Sequence, residues 1–143
     1  MAAAEGFFIA GTIPFAILGS VHIALTLRDL RDPTYFKPID DTLIPALKAT
    51  AVAVMAPVPR AHNMWRAWLG ANLTHGLGLF VFALLLAAIA MHDYALVPAI
   101  PGIRPLSIGV SLTYAVIALR FWFSPAFVMA TVGLICFLIA AIA

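Results

Sequence analysis

Residues 67–91 read AWLGANLTHGLGLFVFALLLAAIAM, 25 positions without one charged side chain. A bilayer's hydrocarbon core, about 30 Å thick, needs roughly 20 apolar helical residues to cross it. This stretch therefore predicts a transmembrane helix. Working outward, residues 6–27, 106–122 and 126–143 meet the same criterion. The composition agrees: 64% of the 143 residues are hydrophobic and 10% are charged, whereas soluble domains carry about 25% charge. The predicted fold class is all-α, an integral membrane bundle of four transmembrane helices forming a single domain over residues 1–143.

The first segment could be mistaken for a secretory signal. The start MAAAEGFF offers no basic leading region and no clear small-x-small cleavage site, so a retained helix is expected. Residues 42–57 are apolar but interrupted by Pro45 and Lys48 and closed by Pro57 and Pro59. Leu43, Leu47, Ala51 and Val54 recur at helical spacing, which predicts a short interfacial helix in the first loop. A fifth span there is the competing expectation.

Basic residues set the expected orientation. Arg28, Arg31, Lys37, Lys48, Arg60 and Arg66 lie between the first two spans, Arg120 ends the third, and only Arg104 falls on the opposite side. By the positive-inside rule the long first loop is cytoplasmic and both termini face outward. A fifth span would split this basic cluster across the membrane. Trp65, Trp68, Phe121, Trp122 and Phe123 fall near the cytoplasmic boundary and Tyr94 near the outer one, where amphipathic rings are favoured. Pro14 should kink the first span. Ser124-Pro125 reads as an N-cap and helix start for the fourth, and Pro105 as the opening of the third, which would make the last two spans a tight antiparallel hairpin.

The net charge of +2 and the absence of a basic run argue against nucleic-acid binding. The single cysteine, Cys136, excludes an internal disulfide and any cysteine-based metal cluster. No phosphate-binding loop, dinucleotide fingerprint, zinc-protease motif or nucleophile elbow is present. The spans contain no Asp, Glu or Lys, which disfavours a carboxylate-based ion pump. Asp29, Asp32, Asp40 and Asp41 are expected to be solvated, or paired with the basic residues of the loop. The sharper alternative has one of these carboxylates folding back to orient a histidine. Asp40-Asp41 before Thr42 also reads as a helix start, and His62 and His92 read as surface histidines at the boundaries.

Polar residues inside the apolar segments are the best functional leads, because hydrocarbon offers them no water. Gly19, His22 and Thr26 share one face of the first span. Trp65, Trp68, Asn72, His75 and Leu79 step by three and four along the second, and Ser107, Ser111 and Tyr114 along the third. From the helical rise, His22 and Tyr114 sit about 9 Å inside the cytoplasmic boundary and His75 about 13 Å. These depths predict a polar pocket in the cytoplasmic half of the bundle. His75 and His22 are its candidate catalytic residues, as base and second acid. Asn72, Tyr114, Trp68, Thr26 and Ser111 would bind the ligand. The plain alternative is interhelical adhesion, worth about 0.6 kcal/mol per polar contact.

Three functions follow. In the first, the pocket binds or transforms a lipophilic small molecule of lipid, sterol or quinone type. In the second, the chain is an accessory subunit docking on other membrane proteins or on a second copy of itself. In the third, His22 and His75 ligate a haem or other tetrapyrrole, with Gly19, Gly76 and Gly78 making room for the ring. No other metal site is expected.

The run Trp65-x-x-Trp68-x-Gly70-x-Asn72-x-x-His75-Gly76-x-Gly78, preceded by His22 and Phe36-x-Pro38, resembles a family of small four-helix membrane proteins of bacteria. The resemblance covers nearly the whole chain and implies a four-helix fold in a bacterial inner membrane, without implying an activity. The layout is also similar in outline to four-helix sterol-isomerase-like domains, whose pockets bind lipophilic ligands. The acidic residues of those pockets have no counterpart within these spans.

Overall fold

Helices that are apolar all round need a further cue to decide which face turns inward, and here the cue is side-chain size and polarity. In the computed structural model, which describes residues 2–51 and 63–143, six α-helices occur among the described residues. They are α1 (Ala2–Asp29), α2 (Leu43–Ala49), α3 (Met64–His92), α4 (Leu96–Ala99), α5 (Ile103–Phe121) and α6 (Ser124–Ile142). Helices α1, α3, α5 and α6 are long and apolar enough to cross a membrane. The protein is an all-α integral membrane protein with the four spans that hydropathy predicts.

Buried positions on α1 run Ala4, Phe8, Thr12, Phe15, Gly19, His22, Thr26 and Asp29, with Gly11 and Pro14 beside this line, and on α3 Trp65, Leu69, Asn72, Gly76, Leu79, Ala83, Leu86 and Ala90. Steps alternating mainly between three and four are those of a packed helical seam. The seam is rich in small, polar and aromatic residues, while branched aliphatics such as Ile13, Ile17, Val21, Val81, Leu84, Val128 and Val132 are exposed. That inversion of the soluble pattern suits helices surrounded by lipid tails, which are as apolar as leucine.

The described residues form two compact units, one of residues 1–19 and 78–143, the other Ser20–Leu77. In the first, α5 and α6 pack side by side across the two-residue connection Trp122–Phe123, the expected antiparallel hairpin. Phe8 meets Phe137 edge-on at 5.1 Å, and Phe15 meets Phe82 at 5.4 Å and Tyr114 at 6.1 Å. Tyr94, expected as an interfacial anchor, also sets its ring edge-on against Phe8 at 6.0 Å. The approach of α1 to α6 depends on glycine. A Cβ on Gly133 would collide with the Phe15 ring and come within 3.0 Å of the Gly11 carbonyl oxygen. Helix α1 continues as one helix through Pro14.

Several ends differ from expectation by a residue or two. Phe123, in an extended conformation, caps α6, and Ser124 is already its first helical residue. Helix α5 starts at Ile103, two residues before Pro105, after Gly102 with φ of 116°, a backbone conformation for which glycine is the natural residue. The loop before it contains the short helix α4.

In the second unit, α2 covers seven residues, all at least partly exposed, about 10 Å of helix and far short of a span. Beyond it, Ala51 bridges to Asn63 and the Met64 amide donates to the Thr50 carbonyl at 2.9 Å. Asn63 then caps α3, accepting from the Arg66 amide at 2.9 Å. The end of the segment expected at 42–57, together with Val54, Pro57, Pro59, Arg60 and His62, lies outside the described residues.

The glycine contact gives a direct test. Gly133→Ala should destabilise the protein by about 1–3 kcal/mol through overpacking. Gly109→Ala, whose added Cβ meets nothing within 4 Å, should leave stability unchanged. Thermal unfolding in detergent followed by circular dichroism compares the two.

Candidate functional site

The second unit gathers its polar groups where α1 passes close to α3 at Gly76. Gly76 sets that distance: a Cβ there would stand 3.0 Å from Ile23 Cγ1, 3.1 Å from His22 Cβ and 3.1 Å from the Ile23 backbone nitrogen. The backbone atom cannot swing away as a side chain can, so an added methyl would push the two helices apart by some tenths of an ångström. One turn earlier on α3, Asn72 reaches His22 across the gap at 2.9 Å, between Oδ1 and Nε2. The roles in this bond are fixed by the other end of the amide. Asn72 Nδ2 donates to the Trp68 carbonyl at 2.8 Å, so Oδ1 accepts and His22 Nε2 carries the proton. Thr26 donates its hydroxyl to the His22 carbonyl at 2.7 Å and is fully buried, which spends its polarity inside α1. The His75 ring stands edge-on to His22 with centroids 5.1 Å apart.

The first loop closes over this pair. The Phe36 ring lies 4.5 Å from the His22 ring, tilted by 40°. Its carbonyl accepts from the Trp68 indole Nε1 at 2.7 Å. Asp29, at 0% exposure, accepts from the backbone amides of Thr34 at 2.9 Å, Tyr35 at 3.0 Å and Phe36 at 2.6 Å. One carboxylate at the end of α1 thus fixes three consecutive residues of the loop. The chain of contacts runs from Asp29 through Phe36, Trp68 and Asn72 to His22, and so returns to α1.

This overturns the expectation that Asp29 is solvated or ion-paired, and it orients no histidine directly; its partners are backbone N–H groups. A carboxylate beside an apolar helix end is expensive to bury unless several donors meet it, and the turn at residues 34–36 supplies them. Asp41 does pair with Lys37, at 2.7 Å on the surface, where such a pair contributes little. Asp40 starts α2: the Thr42 hydroxyl and amide donate to it at 2.6 and 2.9 Å and hold its carboxyl below the usual carboxylate range. Outside this circuit, Arg28 covers the Tyr35 ring at 5.4 Å.

Of the residues singled out in the sequence, His22, Asn72, His75, Trp68 and Thr26 are together in this unit. Trp68 is half-exposed and His75 only partly buried, because the buried line of α3 passes through Leu69 and Gly76, one position beyond each. Tyr114 and Ser111 belong to the other unit. There the Tyr114 ring packs on Phe15, and Ser111 donates back to the Ser107 carbonyl at 2.7 Å. Ser107 in turn donates to the Arg104 carbonyl at 2.9 Å. Both hydroxyls therefore donate within α5. His92 is exposed, as expected for a boundary histidine.

Among the described residues no group of three or more His, Cys, Asp or Glu side chains could hold a metal ion. A tetrapyrrole gripped from both sides needs its two imidazoles on opposite faces of a macrocycle. Here the two rings meet each other directly, and His22 Nε2 is committed to Asn72. Compared with protein-family models, curated proteins and solved structures, the chain matches none.

The His22–Asn72 bond predicts energetic coupling between the two positions. A double-mutant cycle of His22→Ala and Asn72→Ala, measured by reversible unfolding in mixed micelles, should give a coupling of about 0.6–1.7 kcal/mol. A cycle pairing His22→Ala with Thr74→Ala, whose hydroxyl donates only to the Gly70 carbonyl of its own helix, should give none.

Proposed function

We propose that this protein binds a lipophilic small molecule of lipid, sterol or quinone type in the membrane. The ligand's polar head would be recognised by the His22–His75 pair. The observation that carries this reading is the edge-on contact of two imidazoles at 5.1 Å, one of them oriented by a buried amide. Helices that only need to pack have cheaper side chains available, since burying polar groups costs free energy unless each is satisfied. An imidazole offers both a donor and an acceptor nitrogen in its neutral form, which suits a hydroxyl or carbonyl head group. If the bound molecule is transformed, His75 is the general base and His22, held by Asn72, its acid partner. Trp68 and Thr26 support the pair, one through Asn72 and Phe36 and the other through the α1 backbone.

The same reading places the protein in a bacterial inner membrane, with the loop carrying Arg28, Arg31 and Lys37 in the cytoplasm and both termini outward. The imidazole pair then opens toward the cytoplasmic leaflet.

Native mass spectrometry of the gently solubilised protein, with an absorption spectrum of the same sample, tests the proposal. The expected result is a small lipophilic adduct that is lost in His22→Ala and His75→Ala while both variants keep their helical content. An adduct retained by both variants would overturn the role of the pair. Stable protein partners without a small molecule would favour an accessory subunit, and a visible absorption band would favour a tetrapyrrole.

A further inference from the structure

The contacts of Phe36 are unequal on its two sides. Its amide is tied to the buried Asp29 carboxylate, which also holds the two preceding amides. Among the described residues its carbonyl accepts one hydrogen bond, from the indole of Trp68, which is 50% exposed. Its ring, half-buried, lies directly against His22. The amide of Phe36 thus belongs to a turn anchored on a buried carboxylate, whereas its carbonyl is held by a half-exposed indole. We propose that Phe36 is a gate over the His22–His75 pair, with Asp29 as its fixed post and the Trp68 indole as its releasable catch.

The inference rests on reading that pair as a ligand site and adds the means by which it opens. In the closed state the Phe36 ring covers His22 from the loop side. Release of the indole bond frees rotation about the Phe36 N–Cα bond, which carries ring and carbonyl together, and the ring can then leave the imidazole without disturbing the turn held by Asp29. Trp68 serves both ends of this device: its indole holds Phe36, and its own carbonyl fixes the Asn72 amide that orients His22. A head group that competed for the indole N–H would open the gate and enter the site it covers.

The test is the rate at which diethyl pyrocarbonate modifies each histidine of the full-length protein in detergent, read peptide by peptide, with the exposed His92 as internal reference. In the unaltered protein His22 should react far more slowly than His92. Phe36→Ala should raise the His22 rate, and Phe36→Leu should restore most of the protection. Trp68→Phe keeps the aromatic bulk and removes only the donor. Loss of one hydrogen bond should raise the open population, and with it the His22 rate, by roughly two- to tenfold. A His22 rate equal to that of His92 before any substitution, or unchanged by both Phe36→Ala and Trp68→Phe, would overturn the gate. The reagent needs no lipophilic ligand, so this result stands apart from whether a small molecule co-purifies.

Discussion

The approach of α1 to α3 at Gly76 is the constraint on which the candidate site depends. With no side chain on Gly76, the backbone of Ile23 and the root of His22 come within van der Waals reach of α3. At that separation Asn72 spans the gap to His22 with a 2.9 Å hydrogen bond. In hydrocarbon neither group could turn to water instead, so the short distance and the polar pair support each other. The edge-on placement of His75 follows, since it stands one residue before Gly76 on the same turn of α3.

A second constraint comes from the end of α1. The helix carries its apolar run to Leu27 and closes on Arg28 and Asp29, and the chain must then reverse over its own terminus. Asp29 makes that reversal specific by collecting the amides of Thr34, Tyr35 and Phe36. Buried charge of this kind is tolerated because each oxygen finds strong donors. The consequence lies two turns back along α1 from the carboxylate, where Phe36 comes to rest on the His22 ring.

How much of this was legible in the sequence varied with the physics involved. The four spans were, because the transfer of some twenty apolar residues into lipid dominates every local preference. Their ends were legible only to within a few residues, as with Ser124, which is helical where a cap was expected. The inward faces were harder to read. Leu, Ile and Val surround every span, so periodicity of hydrophobicity carries little information; the actual seam follows Gly, Ala, Thr and Phe on α1 and alternates leucines with small or polar residues on α3. That shift of one position is why Trp68 and His75 flank the buried line of α3 while Leu69 and Gly76 lie on it. Polar residues isolated among aliphatic ones singled out His22, Asn72 and His75, which the structure brings together. The same criterion over-read Ser107 and Ser111, which bond to their own helix. Asp29 and Phe36 were missed as site residues because their role arises from a turn, and turn geometry leaves no periodic trace. The signal available was an aspartate closing an apolar helix five to seven residues before Thr34, Tyr35 and Phe36.

Everything functional here hangs on two imidazoles from different helices lying side by side, one of them in a single protonation form. Solid-state nuclear magnetic resonance of the protein in lipid, with nitrogen-15 and carbon-13 placed only in histidine, observes both features at once. The account predicts a His22 ring protonated at Nε2 and a through-space correlation between the His22 and His75 rings, both abolished by Gly76→Val. A His22 ring in the opposite tautomer with no correlation to His75 would contradict it.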